Sequence, residues 1–301
     1  PNPLTVTEQR MVRGALDGMV AEQRVAAISQ MREAIPDDRS YRALAQSLYP
    51  DSVGSQLAMQ VQGRRANFEG YPNLTTEVAQ RRLLDGAQAL GMVQQQNTGT
   101  EQGADRPRVT FAMPTDARMR QHWASAVGDA YVGMPETAAG AYEAYRTAYA
   151  GGAIAEGDTS GTFNSSIANE AVAIATGGIS SNDEHRMVLP WGVSEDGFNR
   201  SIARGWQTNI RPLIQEDLAN RAPSTFRYQA MGQGRYSIIT PQGAQVTGRE
   251  GQPLYIRIPT GNAQAPEAPM EGIAQYRPGQ EWPAPPVHAS QRRYRHGRYT
   301  Q

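Results

Sequence analysis

The stretch Ala175-Thr176-Gly177-Gly178, followed after the mainly polar excursion Ile179 to His185 by Arg186-Met187-Val188-Leu189-Pro190-Trp191-Gly192, decides how the chain is read. A helical pattern runs into a glycine pair, where a residue able to adopt positive φ is wanted at a helix end. A short apolar run then meets Pro-Trp-Gly, and Ser194 opens the next helix. Nothing in the block assembles a nucleophile, a base and an oxyanion donor. Gly177, Gly178, Pro190, Trp191 and Gly192 are therefore expected to form a packed structural junction, with Trp191 as its anchor.

Upstream of this block the sequence is helical. Asn164 is placed to cap a helix through Ile167, Ala171 and Ile174. Before it, Asp116 caps a segment carrying Met119, Trp123, Val127 and Tyr131, and Pro135 begins another carrying Ala139, Tyr142, Tyr145 and Tyr149. Gly151, Gly152, Gly157 and Gly161 read as a flexible connection. At the N-terminal end Thr5-Val6-Thr7-Glu8 has capping-box spacing. The apolar residues from Val12 to Ile35 recur at mostly helical steps, with room for a break, and stop at Pro36. Further helices are expected from Asp38, as a cap, through Tyr41, Leu44 and Leu48; over Val53, Leu57 and Val61; and from Thr75 through Leu83, Leu84 and Leu90. Between the two helical regions, Gln94 to Arg108 contains no large apolar residue, so it cannot bury enough to offset its ordering entropy.

Downstream, a helix with Phe198, Ile202, Trp206, Ile210 and Leu213 is expected, kinked or divided by Pro212. The period then becomes alternating. Phe226 and Tyr228, then Tyr236 and Ile238, then Leu254, Ile256 and Ile258 mark three strands of an antiparallel meander, too small to stand without packing on helices. From Gly261 Pro, Gly, Gln and Ala dominate, as in an extended arm. The fold class is thus mainly α with a small C-terminal antiparallel β element (α+β) and an extended Pro-rich arm. The expected division is a helical unit at 1–93, a linker at 94–108, a helical domain at 109–222, a β meander at 223–260 and the arm at 261–301.

Composition narrows the function. The chain has 301 residues, 39% of them hydrophobic, and a formal charge of zero, so bulk electrostatics nominates neither nucleic acid nor membrane. All 29 basic residues are arginine, which GC-rich coding explains more simply than selection for anion contacts. Cysteine is absent, which excludes disulfides, thiolate catalysis and Cys-ligated metals. No apolar run approaches the roughly 20 residues of a membrane span, and no secretory leader pattern is present. The first residue is Pro1, as expected of a processed chain or a piece of a longer one.

The order of helix, Ala-Thr-Gly-Gly, hydrophilic loop, apolar strand, Leu-Pro-Trp-Gly, acidic residues and Phe198 resembles the C-terminal region of the internal virion or DNA-ejection proteins of tailed bacteriophages. Those are large proteins, often linked to a lytic transglycosylase domain. The resemblance covers Pro107 to Pro259, and its specific part is the short block alone. It implies a structural virion role and carries no catalytic residue with it.

The remaining candidates for chemistry are weak. Asp183, Glu184 and His185 are successive in a turn-like segment and do not suit one metal ion. His122 reads as a packed or surface residue, Glu195 and Asp196 as first-turn acids. Glu170 is the one carboxylate in an apolar helix, a general acid only if a cleft surrounds it. Ser165 and Ser166 lack a nucleophile-elbow setting, and Gly232-Gln233-Gly234 reads as a tight turn. The Tyr142, Tyr145 and Tyr149 stripe reads as core. The terminal cluster Arg292, Arg293, Tyr294, Arg295, Arg298 and Tyr299 interleaves charge and rings, a pattern for docking on an acidic protein patch or for gripping nucleic acid. The expected function is a structural phage component, non-enzymatic and without cofactor or metal, assembling as a homo-oligomer with other virion proteins in a ring or channel for genome delivery. Its place is the virion, and the host envelope after ejection. The alternatives are a cell-wall-degrading enzyme or its accessory domain, and a nucleic-acid-binding adaptor or scaffold using the basic tail.

Overall fold

The structure, a computed structural model, describes residues 4–61, 68, 70–97, 111–181, 185–231 and 234–258. It is about 60% helical, with a small antiparallel sheet near the C-terminal end. The mainly α, α+β class expected from the pattern is what the chain adopts. The Pro-rich arm from 261 and the cluster Arg292 to Tyr299 lie outside the described residues, as do Asp183, Glu184 and Gly232-Gln233.

Helices start where a side chain can accept the unpaired amides of a first turn. Helix α1 (Val6–Asp17) has the full capping box of Thr5 and Glu8. The run from Val12 to Ile35 is two helices, because α1 ends at Gly18 and α2 spans Ala21–Ala34. Buried Arg24 closes that break, donating from Nε to the Leu16 carbonyl and from Nη2 to the Met19 carbonyl, each at 3.0 Å. Helix α3 (Asp38–Leu48) is capped by Asp37 and α6 (Asp116–Val127) by Thr115, each one residue before the aspartate expected to cap. In both cases a neighbouring oxygen-bearing residue holds the extended backbone a cap needs. Between them lie α4 (Val53–Val61) and α5 (Thr76–Asn97), the latter running into the expected linker. Then come α7 (Pro135–Ala155) and α8 (Ser165–Thr176), whose cap Asn164 accepts from Ser166 and Ile167 N–H.

Gly151 and Gly152 are not a flexible connection. They lie inside α7, where α5 crosses it so closely that a Cβ on Gly151 would overlap the Arg82 carbonyl and one on Gly86 the Thr147 carbonyl. A Cβ on Gly152 would stand 2.7 Å from Ile167 Cγ2 of α8. The glycines permit the close crossing, which buries Tyr145, Tyr149 and Ala148 completely or nearly so. A single apolar core therefore joins residues from Leu16 to Ile174. The packing runs across the expected boundary at 94–108, because the small residues that match α5 to α7 lie on opposite sides of it.

The second core is built differently. Strands β1 (Ile179–Ser181) and β2 (Arg186–Val188) form an antiparallel hairpin with Ile179 opposite Val188, so the first part of the expected loop is a strand. After Ser194, which caps it, comes α9 (Glu195–Gly205). A π-helical turn, Trp206–Ile210, and a 3-10 turn, Arg211–Leu213, follow. Proline at 212 supplies no N–H, so the helix ends in altered turns there. The sheet has the order β3 (Arg227–Ala230), β4 (Arg235–Ile239), β5 (Tyr255–Arg257), antiparallel throughout. It closes on α9: Trp206 packs against Phe226 with ring centroids 4.5 Å apart, and a Cβ on Gly205 would stand 2.9 Å from Ile256. Met187 and Leu189 of the hairpin belong to this core too. The β element thus shares one core with the hairpin and α9, and the expected division at 222–223 does not separate them.

Candidate functional site: a cleft at the glycine–tryptophan junction

The junction assembles as the glycine pattern requires. Gly177 ends α8 with φ 83°, and its N–H donates to the Ala173 carbonyl. The chain then reverses through the hairpin and returns, so that Leu189 N–H donates to the Gly178 carbonyl at 2.9 Å. Pro190 to Val193 form a turn, closed by Val193 N–H on the Pro190 carbonyl at 3.1 Å, with Gly192 at φ 77°. This turn lays the Trp191 indole on Gly177, where a Cβ would come within 2.8 Å of Cδ1. Trp191 also meets Phe68 edge-on, ring centroids 5.5 Å apart. It is half-buried and packs against the helical core, while Leu189 beside it joins the second. Gly177 and Trp191, separated in sequence by the hairpin, are thus in contact.

Next to this junction lies a cleft of about 460 Å³. Its floor is Ala126 of α6 with Val172 and Ala173 of α8, and Phe68 and Tyr71 stand at its side. The hairpin contributes Ile179, Arg186 and Leu189, and Glu195 opens α9 at its edge. His122, one turn before Ala126 on α6, makes two bonds: Nδ1 to the Tyr145 hydroxyl at 3.1 Å and Nε2 to Asn169 Oδ1 at 3.0 Å. Both ring nitrogens therefore have hydrogen-bond partners within the fold. The ring also stacks on Tyr145 and tilts against Phe163, as a packed histidine does. Burial pushes the Tyr145 hydroxyl above its ordinary range. For Tyr142, burial and its bond to Asp116 push the hydroxyl up to about 12. The tyrosine stripe is therefore core, and its hydroxyls stay protonated.

Glu170 is committed elsewhere. It pairs with Arg82 of α5 in a largely buried ion pair, with side-chain exposures of 22% and 12%. Burial first, and the Glu170 charge second, raise the Tyr71 hydroxyl pKa. The carboxylate is thus occupied by the guanidinium rather than turned toward an open cleft as a free acid. His185 lies away from any metal geometry: its Nδ1 meets Asp129 Oδ2 at 2.8 Å. Among the described residues no group of three His, Asp or Glu could hold a metal ion. Glu195, in the first turn of α9, accepts from the buried Ser180 hydroxyl at 2.7 Å. Ser165 and Ser166 are the first residues of α8.

The cleft itself was not legible in the sequence. Ser125, Asn169, Arg186 and Tyr71 come from four segments, and the helical spacing of Asn169, Val172 and Ala173 reveals a shared face but not what lies opposite. Among the described residues no helix is long and apolar enough to cross a membrane. No protein-family model matches the chain, and comparison with curated proteins and with solved structures returns no match.

Proposed function

We propose that the chain is a structural component of a tailed-phage virion, of the internal or DNA-ejection type, and that it works by assembly. The observation that supports this most directly is the use made of the Ala-Thr-Gly-Gly and Leu-Pro-Trp-Gly segments. In them Gly177 and Gly178 lie against Trp191 and Leu189, and the Leu189 N–H returns to the Gly178 carbonyl, so the two segments join a helical core to a hairpin. That is the chemistry of holding a shape. The same residues carry the resemblance to phage ejection proteins. Homo-oligomerisation with other virion proteins follows from that role, since symmetric assemblies reuse one surface many times.

The cell-wall enzyme is the less favoured reading, because its one acid candidate, Glu170, is bound by Arg82. Mass spectrometry of purified particles tests the proposal. Peptides of this chain should appear in amounts comparable to other structural proteins; their absence from particles would rule the reading out. A peptidoglycan-release assay on the full chain should show no release. Glu170→Gln leaves the Arg82 charge short of its partner and should lower stability by about 1–3 kcal/mol. Below its melting temperature the variant should still enter particles. Release by the wild type that disappears in a folded Glu170→Gln would establish the enzyme instead.

A further inference from the structure

The elbow between α1 and α2 leaves helix-forming groups unmatched on both of its sides. Helix α2 starts from Val20, whose side chain caps nothing and is 60% exposed. The backbone N–H groups of Val20, Ala21, Glu22 and Gln23 have no backbone partner among the described residues. In a helix running straight through the elbow they would donate to the carbonyls of Leu16, Asp17, Gly18 and Met19. Two of those four carbonyls, Leu16 and Met19, are instead held by the Arg24 guanidinium. Gly18 already has right-handed helical angles, φ −83° and ψ −9°, so the chain leaves the helix only beyond it, with Val20 extended at ψ 160°.

Helix α1 is also lightly held. Leu16 is its one fully buried residue, and Val12 packs partly against the core. At the end of α3 the Tyr49 hydroxyl donates to Asp17 at 3.3 Å, and the Arg13 guanidinium lies 5.6 Å from the Tyr49 ring centre. The main neighbours of α1 are α2 and α3. Straightening the elbow makes one helix from Val6 to Ala34, about 44 Å long, and carries α1 off this seat. The apolar surface that Leu16 covered is then open, and the segment whose side chains match it is α1 of a second copy. We propose that α1 exchanges between two copies of the chain: each elbow straightens, and each α1 docks on α2 and α3 of the other copy. Exchange repeats every α1 contact across the pair and adds the helix bonds that the elbow lacks, which is why swapping an identical element is a low-cost route to a closed dimer. Against it stand the entropy of association and the two carbonyl bonds of Arg24, the residue that favours the bent form. The inference does not depend on the virion reading.

Sedimentation equilibrium of the full chain, carried up to about 1 mM at the weak end of specific association, tests it with two variants of opposite effect. Gly18→Ala puts a methyl at ordinary contact distance, 3.5 and 3.6 Å from the Gly14 and Ala15 carbonyls, and favours a helix through the elbow by about fivefold. Val20→Asp gives α2 the cap it lacks and favours the bent form by about the same factor. A dimer contains two elbows, so Gly18→Ala should tighten self-association about tenfold or more, and Val20→Asp should weaken it as much. Both positions are exposed, so neither variant is expected to unfold the chain. The exchange itself is read by replacing exposed Arg13 with p-benzoylphenylalanine and irradiating the isolated dimer formed with an isotopically heavy copy. Coupling should join position 13 of one copy to the end of α3, at Tyr49, of the other. A monomer at every concentration in both wild type and Gly18→Ala, a dimer indifferent to both variants, or coupling confined within one copy of the isolated dimer would overturn the proposal.

Discussion

Gly177 and Trp191 are one interaction seen from two sides. The glycine ends α8 in the left-handed region, which costs an L side chain about 1–2 kcal/mol. It also leaves the space into which the indole lies. Trp191 is only half-buried, so Trp191→Ala should cost about 1–2 kcal/mol, below the 3–5 kcal/mol of a fully buried aromatic. Gly177→Ala should cost more than the backbone strain alone, because its methyl meets the ring. In the double variant that steric part vanishes. Denaturant melts of the four proteins should therefore show the pair costing less than the sum of the singles by about 0.5–2 kcal/mol. Strict additivity would mean that the ring and the glycine do not touch in solution.

At the scale of elements, the crossing of α5 on α7 organises the helical core. Helix propensity alone would favour alanine over glycine at 151 by about 1 kcal/mol. The Arg82 carbonyl occupies the place of the added methyl, and overpacking of this kind costs about 1–3 kcal/mol, sometimes more. Gly151→Ala is expected to be destabilising, with a lowered melting temperature. A control at Gly91, also in α5 with open space around it, should be neutral or stabilising. If both alanines raise the melting temperature, α5 and α7 do not approach as closely as described. The second core has the same device at Gly205 under Ile256, which seats the sheet on α9.

The two cores meet again at the turn that follows α6. There Asp129 accepts from the Arg186 backbone N–H through Oδ1 and faces His185 Nδ1 through Oδ2, each at 2.8 Å, with Arg227 Nη1 of β3 at 4.0 Å. Gln229 of β3 adds a bond to the Val132 carbonyl at 3.0 Å. Burial works to raise the Asp129 pKa, but the Arg186 N–H and His185 outweigh it and hold the carboxyl below its ordinary value. A group depressed in the folded state adds stability that is present above the unfolded pKa, about 3.9 for aspartate. That stability is lost as pH falls through the folded value. The chain should weaken on acidification below about pH 4. Asp37, Asp116 and Asp158, also held low by their hydrogen bonds, contribute in the same direction. Asp129→Asn should lower stability at neutral pH and lose less between pH 6 and pH 3 than the wild type does. Parallel pH profiles for the two proteins, from denaturant melts, would remove Asp129 from this role.

The sequence by itself determined where most helices and all three strands of the meander form, because capping residues, proline stops and apolar spacing act over a few neighbours. The capping box at Thr5, the Asn164 cap, the Gly177 terminus and the alternation at Tyr236 and Ile238 are all local physics. It also determined that Tyr142, Tyr145 and Tyr149 face a core, from their helical spacing. What it could not determine was which surfaces meet. Gly151 and Gly152 look like a hinge until α5 arrives with Gly86 opposite, and a short run after Gly178 looks like loop until Val188 returns to pair with Ile179. Glu170 looks like a candidate acid until Arg82, 88 residues earlier, reaches it. The cleft is of the same kind. Ser125, Asn169 and Arg186 come from α6, α8 and the hairpin, so only the tertiary arrangement brings them to one lining.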